Sequence, residues 1–270
     1  MQGRDILIYL SLKYEGDWDN IYQAIKRKEP INSHLYKELI TTLKSEAVTI
    51  IDPYYPEHLK QCYKPPFVIY YYGDFSLLDK INSVVAIVGS RKASDYGKKM
   101  TRLIVSDLAK KMIILSGLAR GIDATAHESA ININGKTIAI LGSGIDYCYP
   151  KENKQLYDLI KKDHLLISEY PNSCSPKQKN FPFRNRLIAI LSKSLIVTEA
   201  GINSGTLITV SHALSYGRDI CCVPYPADLY SACNSLIKQG AKLVENARDV
   251  YEEMGIVEDD SNCESNLKIN

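Results

Sequence analysis

The chain has 270 residues, 45% of them hydrophobic and 24% charged, which is a soluble composition with enough apolar residues for one large core and a small accessory unit. No apolar run reaches the roughly 18 to 20 residues that span a bilayer, and the start lacks the order of a signal peptide, so we expect a cytoplasmic protein with no membrane segment. The formal net charge of +2 is too small to attract nucleic acid by itself, so such a role would need local clusters of Lys and Arg.

The cysteines argue against a disulfide framework and against a zinc site. The chain has seven of them, an odd number, and none forms a C-x-x-C pair. We therefore expect reduced thiols that mostly serve packing, and no bound metal.

The first 45 residues predict a small helical unit. Short amphipathic patterns cover residues 6–12, 18–28 and 33–44, and Pro30 and Asn32 break the chain before the third. Two extended stretches follow at 47–51 and 67–72, separated by a loop rich in Pro and Tyr.

From Val84 the pattern is strand, glycine turn and helix, repeated. The strands are short apolar runs at 84–88, 112–115, 137–141, 165–167, 194–197 and 220–223. Such runs suit a sheet that is covered on both faces. We predict an α/β fold, an extended Rossmann-like, doubly wound and mainly parallel sheet over residues 46–255, with ligands at the carboxyl ends of the strands. Residues 256–270 predict an acidic, disordered tail.

The first polar segment at a strand end is Gly89-Ser90-Arg91. Glycine admits close approach of a ligand, and the amides at a helix start together with the Arg91 fork suit a phosphate. The alternative is that Arg91 pairs with a surface carboxylate, since exposed ion pairs are common.

The second segment, residues 116–123, again places glycines and an arginine, Arg120, between a strand and a helix. Asp123 is a natural N-cap for that helix. His127, one turn further on, is expected to pack or hydrogen-bond rather than to catalyse, because no nucleophile with its own orienting partner is evident nearby.

The third segment, residues 177–186, mixes aromatic rings with cations at the start of the helix before the fifth Rossmann strand. Aromatic rings offer a face to any base and arginines contact phosphates, so this mixture suits unpaired nucleic acid strands. The alternative places Phe183 in the core and makes Asn185 a helix cap. The residues assigned to nucleic-acid binding here are Lys179, Phe181, Arg184, Asn185 and Arg186.

The fourth segment follows the fifth Rossmann strand, where Ser204, Gly205 and Thr206 open a helix and form a phosphate-sized cradle. Glu199 would repel phosphate if it faced the cradle, so we expect it to hold Arg184 or Arg186 instead.

Two glycine patterns are not nucleotide motifs. Gly135-Lys136-Thr137 resembles the end of a P-loop, but it lies between a helix and the following strand, and a P-loop needs the reverse order. Gly142-Ser143-Gly144 lacks a third glycine at the spacing of a dinucleotide fingerprint. We expect no cofactor.

Taken together, these segments resemble one family, the bacterial DNA-processing protein A family (DprA or Smf). The resemblance spans roughly residues 49 to 244. The residues that carry it include 87–91, 96–97, 116–123, 126–127, 141–146, 149–150, 168–169, 181–186, 199–200, 204–209 and 217–218.

The resemblance implies a cytosolic protein that binds single-stranded DNA by its backbone, protects it in natural transformation and loads the recombinase RecA onto it, usually as a homodimer. It also implies that cations from separate strand ends converge on one pocket. The chain departs from the family pattern at Tyr225 and at residues 231–234, so the loop after the sixth Rossmann strand is expected to be rebuilt. The pocket residues carried over are Arg91, Arg120, Lys179, Phe181, Arg184, Arg186, Ser204 and Thr206.

Two other functions stay open at this point. A phosphoribohydrolase-like enzyme of the same superfamily would need a glutamate where this chain has Thr209, so we predict no enzymatic activity. A sensor that binds a free nucleotide in the same cradle is the other alternative, although the cluster of Phe and Arg favours a polymer.

Overall fold

A computed structural model describes residues 2–172 and 174–256 of the chain. The predicted tail at 256–270 lies outside these residues, apart from Ile256.

The described residues form one mixed sheet in which most neighbouring strands are parallel. The spatial order is β1-β2-β6-β5-β4-β3-β7-β8-β9, and only the pairs β1–β2 and β2–β6 are antiparallel. The strands are β1 (Glu46–Thr49), β2 (Val68–Gly73), β3 (Val84–Gly89), β4 (Ile113–Ser116), β5 (Thr137–Gly144), β6 (Leu165–Tyr170), β7 (Ser194–Glu199), β8 (Asp219–Cys222) and β9 (Lys242–Leu243).

The direction of winding reverses beside β3. The strands β4, β5 and β6 follow on one side of it, whereas β7 and β8 lie on the other. In doubly wound sheets such a reversal opens a crevice between the loops that leave the two central strands. The crevice here lies between the loops after β3 and β7.

Helices join the strands, and three of them precede the sheet in the chain. Two 3-10 helices cover Phe75–Ser83 and Lys151–Asn153. The α-helices are α1 (Gly3–Lys13), α2 (Trp18–Lys26), α3 (Ser33–Thr41), α4 (Glu57–Lys60), α5 (Asp95–Leu108), α6 (Ile122–Asn132), α7 (Lys154–Asp163), α8 (Asn180–Ile190), α9 (Thr206–Ser215), α10 (Ala232–Lys238) and α11 (Ala247–Glu253).

The sheet is buried on both faces, as β3 shows. Its residues Ala86 and Val88 enter one hydrophobic cluster, while Val85 and Ile87 enter another on the opposite face. Alternate residues of a strand point to opposite faces, so a strand covered on both sides must be apolar throughout. The predicted Rossmann-like, mainly parallel α/β fold is confirmed.

The predicted N-terminal helices are present and pack on the sheet. Leu7 and Ile8 of α1 share a cluster with Val68 and Tyr70 of β2. Arg4 forms an ion pair of 3.1 Å with Asp52 in the loop after β1. The division into a helical unit at 1–45 and a domain at 46–255 stays a prediction.

Several short elements were not predicted, among them α4, α10, α11 and β9. The two residues of β9 are too few to show any periodicity, and α10 and α11 have seven residues each. The six cysteines in the described ranges are free thiols, as expected. No helix in those ranges is long and apolar enough to cross a membrane.

Candidate nucleic-acid interface

A cleft of about 630 Å³ opens at the carboxyl ends of the central strands. It lies at the reversal point of the sheet, where this fold presents ligand sites. Its walls are formed by Val88, Gly89, Ser90, Arg91, Lys92, Ala119, Asp123, Gln178, Phe181, Pro182, Arg184, Asn185, Ile188, Gly201, Asn203, Ser204, Gly205, Thr206, Ile208 and Thr209.

The loop after β3 is fixed by its neighbours on both sides. The Ser90 amide donates a hydrogen bond of 2.8 Å to the Glu199 carbonyl at the end of β7. The Ser90 carbonyl accepts one of 3.1 Å from the Ile122 amide at the start of α6. Three of the four predicted segments therefore meet through backbone contacts.

Glu199 serves this loop and does not hold an arginine, so the prediction that it pairs with Arg184 or Arg186 is wrong. Its carboxylate accepts hydrogen bonds from the Ser94 amide (2.9 Å) and the Ser94 hydroxyl (2.8 Å). Ser94 is the N-cap of α5. The physical reason is strand order: β7 pairs directly with β3, so the end of β7 faces the turn that leaves β3.

Arg91 lies exposed over the ring of Phe181. Its Cζ is 5.4 Å from the ring centroid, within the range of a cation–π contact. Among the described residues it has no carboxylate within ion-pair distance, in contrast to Arg120 and Arg186. The arrangement leaves its charge available to a ligand in the cleft.

Arg184 forms part of the cleft wall although its side chain is almost wholly buried. Its Nη1 donates to the Gly117 carbonyl at 2.8 Å and also to the Ile140 carbonyl. Burial lowers the pKa of Arg184 to about 10, while the nearby Asp123 carboxylate acts in the opposite direction. The guanidinium therefore stays charged at neutral pH.

Arg186 lies elsewhere, so the predicted convergence of four arginines is incorrect for this residue. It is fully buried and pairs with Glu169, with 2.6 Å between Nη1 and Oε1. It also donates to the carbonyls of Tyr63 (2.8 Å) and Lys64 (2.9 Å). The reason is helical geometry: residues two apart on α8 point about 200° apart, so Arg186 cannot share the face of Arg184.

Arg120 and Lys179 lie near the cleft but do not form its walls. Arg120 has a side chain that is 62% exposed and pairs with Glu152. Lys179 is the N-cap residue of α8, and its Nζ lies 2.8 Å from Asp17 Oδ2. Of the four arginines, only Arg91 and Arg184 line the cleft.

The opposite wall is the start of α9. The Ser204 hydroxyl accepts from the Thr206 amide at 3.2 Å and donates to the Thr206 hydroxyl at 2.9 Å. Gly205 is exposed, and across the cleft Asn185 accepts from Arg184 Nε at 3.2 Å. The partial positive charge of the helix start favours an anion here.

Sequence reasoning missed three contributors to this site. Lys92 lines the cleft beside Arg91. Tyr149 extends the aromatic surface, because its ring centroid lies 5.3 Å from that of Phe181. Gly142 makes room for Phe181, since a Cβ at this position would lie 2.8 Å from the ring. The signal for Tyr149 and Gly142 was their place in the resemblance, where neither was given a role.

His127 packs in the interior, as expected. Its Nδ1 lies 2.6 Å from the Thr137 hydroxyl, which donates to the Ile114 carbonyl, so Nδ1 carries the proton of this pair. Burial lowers the pKa of His127 to about 3, and the ring is neutral.

Asp123 is not the N-cap of α6, because Gly121 holds that position. The Asp123 carboxylate accepts a hydrogen bond of 3.3 Å from the Ala119 amide.

The site combines an exposed cation on an aromatic ring, a buried cation in the wall and a helix start. Such an arrangement suits anionic oxygen through charge, and a ring of this kind suits the flat face of a base. Asp123 is the carboxylate among the lining residues; burial raises its pKa, and Arg184 opposes this rise.

Comparison with known proteins agrees with this arrangement. A family model described as DNA recombination-mediator protein A matches residues 46–255. The DNA processing protein DprA of Streptococcus pneumoniae is 42% identical over 224 residues, which cover 82% of this chain and 78% of the relative. Across the curated relatives compared, the chain spans between 51% and 78% of the relative's length.

Solved structures show the same fold. The X-ray structure of DNA processing protein A from Streptococcus pneumoniae superposes with a TM-score of 0.76 and 36% identity, over 92% of this chain and 93% of that one. The Helicobacter pylori DNA processing protein A, described with a unique single-stranded DNA binding mode, gives a TM-score of 0.70 and 29% identity, over 78% of this chain and 96% of that one. Because the family model covers most of the sequence and the fold is shared, the chain belongs to the DNA recombination-mediator protein A family.

Proposed function

We propose that the protein binds single-stranded DNA by its backbone in this cleft and delivers it to a RecA recombinase, and that it carries out no covalent chemistry. The observation that carries the proposal is the contact between Arg91 and Phe181 in a cleft closed by a helix start. It places an aromatic ring beside a cation that has no carboxylate partner among the residues the structure describes.

The choice of a single strand follows from the ring. A base inside a duplex is stacked on its neighbours, whereas an unpaired base can lie on an aromatic side chain. The half-buried Phe181 ring and the exposed Tyr149 ring form a short platform for such bases. Any base has a flat face, so we expect little sequence preference.

Two parts of the proposal, the RecA partner and the homodimer, rest on the family and not on the geometry of the cleft. The chain belongs to a family of DNA recombination mediators, and the Helicobacter pylori relative is described with a single-stranded DNA binding mode. The description of the family as recombination mediators supports a RecA partner for this chain, and the homodimer is a part of the proposal that comes from the resemblance alone.

Binding is tested by fluorescence anisotropy with a labelled oligo(dT), a blunt duplex of the same length and a free nucleotide, each over a series of salt concentrations. We expect the single strand to bind most tightly and its affinity to fall steeply with salt, because neutralised phosphates release counterions. Tighter binding to the duplex would contradict the proposal. Tighter binding to the free nucleotide would favour a nucleotide sensor.

The cleft is tested by Arg91→Glu. This change should weaken binding of the single strand by about 1 to 3 kcal/mol, the range for a charge-assisted hydrogen bond. It should also lower the salt slope. Arg102→Glu is the matched control, because Arg102 is an exposed arginine on α5 outside the cleft walls. Equal losses in both variants would show a general effect of charge and not a site.

Phe181→Ala separates stacking from charge. We expect a loss of about 1 to 3 kcal/mol in binding with the salt slope unchanged, since the ring contributes no charge.

Delivery is tested by the rate of RecA assembly on strands coated with single-strand-binding protein, and the oligomeric state by light scattering. A monomer without effect on that assembly would leave only DNA binding.

A further inference from the structure

Two acidic residues of the loop between α1 and α2 pair with the lysines that precede the cleft helix α8. Glu15 Oε2 lies 2.8 Å from Lys177 Nζ, and Asp17 Oδ2 lies 2.8 Å from Lys179 Nζ. Phe181 follows Lys179 by two residues. Two carboxylates of the loop between α1 and α2 thus lie at the edge of the proposed DNA site.

The acidic loop is held firmly against the sheet. Gly16 has a φ of +73°, and a Cβ at this position would lie 2.5 Å from the Glu169 carbonyl oxygen near the end of β6. Asp17 is the N-cap of α2 and accepts a hydrogen bond of 3.2 Å from the Asn20 amide. Its carboxylate is therefore fixed from two sides, by the helix start and by Lys179.

The lysines, in contrast, extend into solvent. The Lys179 side chain is 69% exposed and the Lys177 side chain is 48% exposed, whereas that of Asp17 is 27% exposed. A long exposed lysine side chain can exchange one anionic partner for another with little cost in packing.

Resting on the proposed function, we propose that Asp17 and Glu15 are internal counter-ions that compete with DNA phosphates for Lys179 and Lys177. The N-terminal helices thereby lower the affinity of the cleft and ease the transfer of a bound strand. A lysine that keeps its carboxylate neutralises no phosphate, so the pair also reduces the salt dependence of binding.

The test is Asp17→Asn, measured by anisotropy with fluorescein-labelled oligo(dT). Asparagine is as good an N-cap as aspartate, so α2 is preserved while the negative charge is lost. We expect binding to tighten about two- to fivefold, the range of an exposed ion pair. The salt slope should steepen by about 0.7, the value for one further phosphate neutralised on a single strand.

The matched control is Asp19→Asn. Asp19 lies in the first turn of the same helix and pairs with Lys64 at 2.7 Å, whereas the lysines before α8 pair with Glu15 and Asp17. The same change of charge there should leave affinity and slope nearly unchanged. Lys179→Gln should weaken binding more in the Asp17→Asn background than in the wild type, because only there is the lysine free for phosphate.

The outcomes separate this inference from the proposed function. If the wild type binds the oligonucleotide and Asp17→Asn behaves like Asp19→Asn, the inference is wrong and the function stands. If neither the wild type nor Asp17→Asn binds, both fall. If only Asp17→Asn binds, the inference stands in its strongest form. Should Asp17→Asn unfold by circular dichroism, Glu15→Gln gives the same test without touching the cap.

Discussion

Arg184 and Arg186 show how two neighbouring arginines acquire different roles. Both lie on α8 and both are buried, but Arg184 lines the cleft and Arg186 binds Glu169 on another side of the helix. Residue type alone does not distinguish them, whereas the helical repeat of 3.6 residues does.

Arg186→Met should therefore destabilise the protein. The change leaves Glu169 buried without a partner and removes donors to the carbonyls of Tyr63 and Lys64. We expect a loss of about 3 to 5 kcal/mol in the free energy of unfolding, as for other broken buried pairs. Urea denaturation followed by circular dichroism measures it. A variant that keeps its stability and yet loses DNA affinity would return Arg186 to the binding site.

Gly142→Ala tests the position of the Phe181 ring. A Cβ here would lie 2.8 Å from the ring and push it away from Arg91. We expect single-stranded DNA binding to weaken by about 1 to 3 kcal/mol, as if the stacking ring were removed. The double variant with Phe181→Ala should bind no more weakly than Phe181→Ala alone, and additive losses would contradict a common cause.

His127 makes stability depend on pH. Its pKa is about 3 in the folded chain, below the ordinary value of about 6.5, because burial disfavours the charged ring. The unfolded state therefore binds the proton first, so the stabilisation is complete above about pH 6.5 and is lost as the pH falls toward 3. His127→Asn, which retains a donor toward Thr137, should reduce the acid loss by up to about 1.4 kcal/mol per pH unit in this window. Equal slopes in urea titrations of the two proteins would contradict this.

At the scale of elements, Glu199 joins the end of β7 to the start of α5. Its carbonyl accepts from Ser90 and its carboxylate from Ser94, so one residue orders the whole turn that carries Arg91. Two secondary-structure elements that are far apart in the sequence are thus connected at the mouth of the cleft.

Glu199→Ala should loosen this turn. The loss of charge-assisted hydrogen bonds to the Ser94 amide and hydroxyl should lower the free energy of unfolding by about 1.5 to 3 kcal/mol. Hydrogen exchange should rise at the amides around Ser94 and leave the central strands unchanged. Uniform exchange across the chain would instead indicate a global effect.

The central strands could be predicted from the sequence because burial on both faces demands continuous apolar runs, as in β3 and β7. The glycine turns at their carboxyl ends indicated the position of the cleft, because a doubly wound sheet binds ligands at those ends. The partner of Glu199 could not be predicted, because it depends on which strands are neighbours in space. Helical spacing alone predicts that Arg184 and Arg186 point to different sides of α8.

At the scale of the whole molecule, the cleft belongs to the topology. The reversal of winding beside β3 brings the loops after β3 and β7 together, although more than 100 residues separate Ser90 from Glu199 along the chain. The N-terminal helices join the same region through the contact of Gly16 with the end of β6. Groups from distant parts of the chain thus act on one site.

Arg184 has one more consequence for an approaching strand. Its guanidinium is fixed by the carbonyls of Gly117 and Ile140 and remains protonated well above neutral pH. Mobile ions shield a charge in water within about 10 Å at moderate salt, but they cannot enter the wall that surrounds this one, so its attraction fades less as salt rises. If the cleft binds DNA as proposed, we therefore expect part of its attraction for phosphates to be weakly sensitive to salt.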